Sequence, residues 1–278
     1  MCSESSQPNQ PDGDREPVIE VDSFVAKYGD TVVLTDVTFS VMHSEIFGIL
    51  GGSGCGKSTI LKHLIGLKAP ASGLVRVLGT DLGKASESER LDLSRRFGVL
   101  FQNGALFGAL TVGENIALPL QEFTDLPTDA VADIVRRKLE LVGLAGSETR
   151  YPSELSGGMR KRAGLARAMA LDPELLFFDE PSSGLDPVLA ADLDRLILKL
   201  RDTFGTTMVI VTHDLDSTLS VTDRVILVDR EAQGIIATGN AGDLAERADL
   251  EDVHTFFNRA GLRTGPPGHR STTRAQDE

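Results

Sequence analysis

Apolar residues along this chain gather in short runs, divided by polar and glycine-rich stretches. Val18 to Val25 and Val37 to Val41 are rich in β-branched residues and predict strands. Glu45 to Leu50 is an apolar run ending in glycines, the pattern of a buried strand, and a helix is expected to start near Lys57. Pro70 to Gly73 predicts a turn, Leu74 to Leu78 a strand, and Arg96 to Phe101 another buried strand. From about Thr111 to Ala170 the period becomes helical. Within it Val131, Ile134, Val135, Leu139 and Val142 line one face of a helix over Thr128–Val142. Alternation then returns: a strand at Leu175–Phe178, a helix at Pro187–Arg201, a strand at Thr207–Val211 and a helix at Asp214–Ser220. Strands follow at Arg224–Val228 and Gly234–Ala237. Strands alternating with helices predict an α/β core with a mostly parallel sheet, and the block at about 103–170 reads as a helical insertion into it.

Residues 1–17 hold almost no apolar side chains, so burial cannot offset their ordering entropy; a disordered leader is expected. Residues 265–278 read the same way, as a disordered tail. Between them lies one domain at 18–250 and a C-terminal extension at 251–264. In that extension, Phe256 and Phe257 could anchor a short helix over Asp252–Gly261.

Composition narrows the partners. The chain has 278 residues, 41% of them hydrophobic, and a formal net charge of −13. That balance argues against a nucleic-acid partner, whose phosphate backbone favours a basic surface. Two cysteines, Cys2 and Cys55, make no disulfide framework, which fits a reducing compartment. The N-terminal stretch lacks the basic-then-apolar order of a secretory signal. No run approaches the roughly 18 apolar residues of a membrane span, so any membrane contact is expected to go through a partner.

The strongest local signal is Gly51-Gly52-Ser53-Gly54-Cys55-Gly56-Lys57-Ser58, followed by Thr59. It fits a phosphate-binding loop and lies between a predicted strand and a predicted helix, the context that pattern demands. Glycines let backbone N–H groups curl around phosphate, and the helix opening at Lys57 turns its positive end toward the anion. Lys57 adds a full charge at the β- and γ-phosphates, Ser58 is placed for Mg²⁺, and Cys55 reads as a small loop residue. Downstream, the apolar run Leu175–Phe178 leads into Asp179 and Glu180 at the carboxyl end of a strand, where ligands of open α/β sheets bind. Asp179 is the candidate Mg²⁺ ligand and Glu180 the candidate general base for an attacking water. Ser156-Gly157-Gly158-Met159 opens a predicted helix and forms a second candidate anion site. One nucleotide does not need two such sites from one chain. Two copies arranged head to tail would use both.

This order of motifs resembles the ATP-binding-cassette (ABC) ATPase family, over about Val18 to Leu250, with Met159 departing from the glutamine usual in the LSGGQ signature. The resemblance implies a P-loop NTPase ABC cassette: a mostly parallel core sheet, an antiparallel β part and a helical subdomain. It implies ATP and Mg²⁺ as ligands. It further implies that Gln102 contacts Mg²⁺ and senses the transporter, and that Ser183 to Asp186 cross the dimer interface. On the same basis His213 contacts the γ-phosphate and Tyr28 stacks on adenine. The stretch 101–127, FQNGALFGALTVGENIALPLQEFTDLP, together with LSGGM is similar to the Mla/Mce group of ABC ATPases, implicated in transport of phospholipid or other hydrophobic substrates. That likeness implies two ATPase chains, two permease chains, an MCE-domain lipid-binding protein and in some systems a STAS-domain subunit. It places the chain at the cytoplasmic face of the inner membrane, held by the permease. Phe107, Leu110 and Leu118 are candidates for a groove receiving a permease helix. The competing expectations are an import ATPase for a polar solute such as an amino acid, and a soluble ABC protein with no transport role.

Overall fold

The computed structural model describes residues 17–247 together with 253, 256 and 257. The expected leader and tail, and most of the 251–264 extension, lie outside the described residues. The N-terminal sheet is antiparallel, in the order β2-β1-β4-β5: β1 is Ile19–Tyr28, β2 Thr31–Val41, β4 Ser72–Val77 and β5 Thr80–Asp81. β2 starts six residues before its expected position, because Tyr28 pairs with Thr31 across a tight turn in which Gly29 takes φ 59°. Thr31, Thr35 and Asp36 face outward on this half of the strand, so its polar composition concealed it.

The central sheet runs β10-β9-β3-β8-β7-β6, with β3 at Ile46–Gly51, β6 at Phe97–Leu100, β7 at Leu175–Asp179, β8 at Thr207–Thr212, β9 at Arg224–Asp229 and β10 at Gly234–Gly239. All neighbours are parallel except the edge pair β9–β10. Every residue of β3 and β8 is buried, as a parallel strand covered on both faces requires. Phe177 and Phe178 show the two faces at one step. Phe177 joins Phe24, Phe47, Ile49 and Ile60 under the antiparallel sheet, and Phe178 joins Ile116, Leu165, Leu196 and Ile210 under the helices.

Helices α1 (Lys57–Leu64) and α2 (Glu87–Ser94) precede β6. Between β6 and β7 lie α3 (Val112–Phe123), α4 (Thr128–Leu141), a 3₁₀ turn at Pro152–Glu154 and α5 (Gly157–Ala168). Two of these helices start on a reciprocal capping box: Ser86 with Glu89 at α2, and Thr111 with Glu114 at α3. Buried Asn115 of α3 accepts from the Phe107 N–H and donates to the carbonyls of Phe107, Leu110 and Thr111, which fixes the loop ahead of the helix. The remaining helices are α6 (Pro187–Phe204), α7 (Leu215–Val221) and α8 (Ala241–Ala245). α6 runs three residues past its expected end and stops at Gly205, whose left-handed backbone (φ 65°) closes it. Among the described residues no helix is long and apolar enough to cross a membrane.

Candidate functional site

The parallel strands end side by side. Leu50 is in register with Thr212 and Asp179 with Val211, so the residues just after β3, β7 and β8 meet at one edge of the sheet. An open cleft of about 1000 Å³ lies there, lined by Gly52, Ser53, Gly54, Lys57, Ser58, Gln102, Asp179, Glu180 and His213. Leu227, Val228, Asp229, Glu231, Ala232, Ile236 and Phe256 complete its walls. Sequence reasoning did not single out the β9 and β10 residues of that wall; an apolar strand carries no local mark of which end faces a ligand.

The glycine loop has the backbone its chemistry needs. Gly51 and Gly56 take φ 152° and 113°. A Cβ at Gly51 would stand 2.3 Å from the Val228 carbonyl oxygen, and one at Gly56 2.8 Å from the Leu34 side chain. Neither position admits another residue without displacement. Gly56 then caps α1 with no side-chain hydrogen bond, leaving the first N–H groups of the helix to the cleft. Lys57 is buried, and its ammonium donates to the carbonyls of Gly51 (2.8 Å) and Gly52 (3.0 Å). Ser58 is exposed in the cleft, whereas Thr59 and Cys55 are buried beneath the loop. Burial pushes the Cys55 thiol up, which disfavours the thiolate and a nucleophilic role.

Opposite the loop, β7 delivers two adjacent carboxylates. Burial, and then the charge of neighbouring Glu180, hold Asp179 above the usual aspartate range. Glu180 sits in the left-handed region, φ 51°, a conformation uncommon outside glycine, asparagine and aspartate. Its N–H donates to the Val211 carbonyl at 2.8 Å, so the twist is held by β8. One carboxylate oxygen, Oε2, lies 2.9 Å from His213 Nδ1 and accepts from the Thr212 hydroxyl at 3.3 Å. Thr212 was not foreseen; its place next to His213 was the only available signal. Gln102 donates from Nε2 to the Ser183 hydroxyl at 3.1 Å, which joins the segment after β6 to the turn after Glu180.

Three other expected site groups lie away from this cleft. Ser156 accepts from the Met159 N–H and caps α5, with Ser156 and Gly157 exposed and Gly158 buried against Leu189. Asp186 is exposed and caps α6, accepting from the N–H groups of Val188 and Leu189, both at 3.0 Å. Tyr28 is exposed beside α1; the Lys68 ammonium lies 3.5 Å from its ring centroid, and hydrogen bonding to Thr59 helps hold its phenol below the usual range. A single copy therefore brings together Lys57, Ser58, Gln102, Asp179, Glu180 and His213, and leaves the α5 and α6 starts facing outward.

A family model described as ABC transporter matches residues 34–183, from the second strand through the glycine loop and α5 to the acid pair. The chain belongs to the ABC transporter ATP-binding family. This ABC ATPase is 42% identical over 250 residues to the "Probable ribonucleotide transport ATP-binding protein mkl" of Mycobacterium leprae, covering 90% of this chain and 71% of that protein. It is 40% identical over 236 residues to the "Intermembrane phospholipid transport system ATP-binding protein MlaF" of Haemophilus influenzae, covering 85% and 89%. Among solved structures, the cassette superposes on the ATP-binding cassette MJ0796, a dimer in a post-hydrolysis state bound to ADP and Pi, with a TM-score of 0.73 at 26% identity, covering 80% of this chain and 98% of that one. The expected α/β architecture, a mostly parallel sheet with an antiparallel part, is the one observed.

The C-terminal anchors of this ABC ATPase pack on their own chain. Val253 and Phe257 are buried with Leu50, Leu215, Leu227 and Leu244, and Phe256 flanks that cluster and reaches the cleft wall. The rest of Asp252–Gly261 lies outside the described residues.

Proposed function

We propose that this ABC ATPase hydrolyses Mg-ATP to energise a membrane permease that moves phospholipid or another hydrophobic substrate across the cell envelope. The observation that carries the hydrolytic part is the Glu180 carboxylate, seated between His213 and Thr212 across the cleft from Lys57. Glu180 is the base that takes the proton of the attacking water, with His213 orienting it and contacting the γ-phosphate. Lys57 and the free N–H groups of α1 bind the phosphates, and Tyr28 stacks on adenine.

The donor set fits magnesium. Ser58, Gln102 and Asp179 offer oxygens in one cleft, and Asp179 is held above its usual range by burial beside a second carboxylate, a cost that a cation relieves. Among the described residues no cluster of three or more His, Cys, Asp or Glu forms a protein-only cage, which suits an ion that keeps waters and shares its shell with phosphates. Ser58, Gln102 and Asp179 would hold Mg²⁺, which would supply positive charge to offset the charge that develops on the phosphates during hydrolysis.

The outward-facing starts of α5 and α6 support a head-to-tail dimer. Each copy then offers Ser156, Gly157, Gly158 and Met159 to the other's γ-phosphate, with Asp186 near the interface. The dimeric MJ0796 cassette is consistent with this arrangement. On the permease side, Phe107 is 53% exposed and Leu118 36%, on a loop and helix fixed by Asn115. Such a rigid apolar display suits a helix of the permease. The proposed assembly also takes in an MCE-domain lipid-binding protein and, in some systems, a STAS-domain subunit, at the cytoplasmic face of the inner membrane; the phospholipid transport in the MlaF relative's name supports the lipid part of this reading. The name of the mkl relative supports a second reading, a polar nucleotide-like cargo.

The test is purification of the tagged chain from detergent-solubilised membranes, with mass spectrometry of what accompanies it. A multi-span permease with an MCE-domain protein is expected. A permease with a polar-solute binding protein would favour the second reading, and recovery without any membrane protein would contradict the transport role.

A further inference from the structure

Lys161, in the second turn of α5, is 5% exposed, and its ammonium is spent entirely on backbone. It donates to the carbonyls of Pro181 (2.5 Å), Ser183 (2.6 Å) and Glu180 (3.2 Å). Those three carbonyls belong to the turn that starts at Glu180, and they converge on one point. Three carbonyl dipoles aimed together repel one another unless a cation sits among them. The left-handed backbone of Glu180 is itself a conformation that surrounding structure must enforce. The same helix grips the segment after Gln102 through Arg167, which donates to the carbonyls of Ala105 (2.7 Å) and Gly104 (3.2 Å). Backbone meets backbone at that point: a Cβ on Gly164 would stand 2.8 Å from the Gly104 oxygen. One rigid helix thus carries the outward-facing start at Ser156 and is pinned to the turn that aims Glu180.

We propose that Lys161 is a positioning residue for hydrolysis, which transmits engagement of the α5 start by a second copy to the Glu180 turn of its own chain. The inference rests on the reading of Glu180 as the base and of α5 as serving the partner's nucleotide. A push on α5 from the partner's γ-phosphate side moves Lys161, and with it the three carbonyls beside Glu180. A displacement of about 1 Å at a reacting group can cost on the order of 100-fold in rate.

The experiment compares the full chain with Lys161→Met, which keeps the length of the stem and removes the donors, in steady-state ATP hydrolysis across ATP concentration. Turnover is expected to fall about 10- to 100-fold, KM for ATP to stay within roughly 2-fold, and the Hill coefficient to drop toward 1. A purely structural role would lower melting temperature and active fraction without changing the Hill coefficient. Wild-type turnover and cooperativity in a folded Lys161→Met protein would overturn the proposal, as would slower turnover with unchanged cooperativity. Should that variant fail to fold, Lys161→Gln, which keeps two N–H donors, is expected to show the same changes at smaller size, and wild-type behaviour there would overturn it equally. Glu180→Gln in the same assay separates the two ideas: if it turns over normally, the assignment of the base has failed, whatever Lys161 does.

Discussion

Asp179→Asn is expected to make the nucleotide-free protein more stable while abolishing its activity. Folding places the Asp179 carboxylate where burial and adjacent Glu180 both oppose its charge, with Lys62 and Lys57 offsetting part of this. A carboxyl whose folded pKa is raised binds protons more tightly when folded than when unfolded. Its charge therefore costs stability once pH exceeds the unfolded value of about 3.9, and the cost grows until pH passes the folded value. Asparagine keeps the shape and removes the charge. Relief of a site strained for function commonly yields about 0.5–2 kcal/mol. For a chain of this size each kcal/mol shifts the melting temperature by roughly 2–4 °C, so a rise of about 1–8 °C is expected at neutral pH. The assay is thermal unfolding of wild type and variant from pH 4 to 8, alone and with Mg-ATP. The gain should shrink toward acid pH, where wild-type Asp179 takes up its proton. Wild type should also gain more from Mg-ATP than from ATP with a chelator, and the variant should not. An equal or lower melting temperature for the variant at neutral pH would refute the reasoning, because it would mean that the charge is stabilising where it sits.

The remaining predictions concern single contacts. Glu180→Gln should lower turnover about 10²–10⁴-fold with ATP affinity retained, measured by phosphate release and nucleotide binding, since the amide keeps the size but cannot accept the water's proton. Tyr28→Ala should raise KM for ATP roughly 2- to 10-fold, the worth of one aromatic stack, with little effect on turnover in steady-state kinetics. Gly164→Ala should destabilise by about 1–3 kcal/mol in urea unfolding, because its methyl meets the Gly104 backbone, which cannot yield as a flexible side chain would. Phe107→Asp should leave hydrolysis by the chain alone unchanged and abolish its stimulation by co-purified permease, measured as phosphate release with and without the membrane partner.

Much of this was legible in the sequence because the chemistry is local. Gly51 to Ser58 must be read together to bind phosphate, and Leu175 to Glu180 must be a buried strand with acids at its end. What escaped detection was non-local or polar. α2 carries only Leu93 to the core, so its apolar period is too weak to see, and only the Ser86–Glu89 box marks its start. α3, by contrast, falls inside the block whose period already reads as helical, and packing of Ile116 and Leu120 overrides the poor propensity of Pro119 there. The partners of Lys161 sit about twenty residues away in sequence, and nothing in the composition of α5 separates that lysine from the half-buried Arg160 and Arg162 beside it. Hydrogen bonds between turns that are remote in sequence appear only once the sheet has brought them together.

The central claim is that ATP hydrolysed here moves a hydrophobic molecule. It is tested most directly by reconstituting the purified membrane complex into vesicles that carry a fluorescent phospholipid and following its transfer to an acceptor. ATP-dependent redistribution with the wild-type chain, absent with Glu180→Gln, is the predicted result. ATP-dependent movement of a ribonucleoside or other polar solute, with the phospholipid left in place, would contradict it.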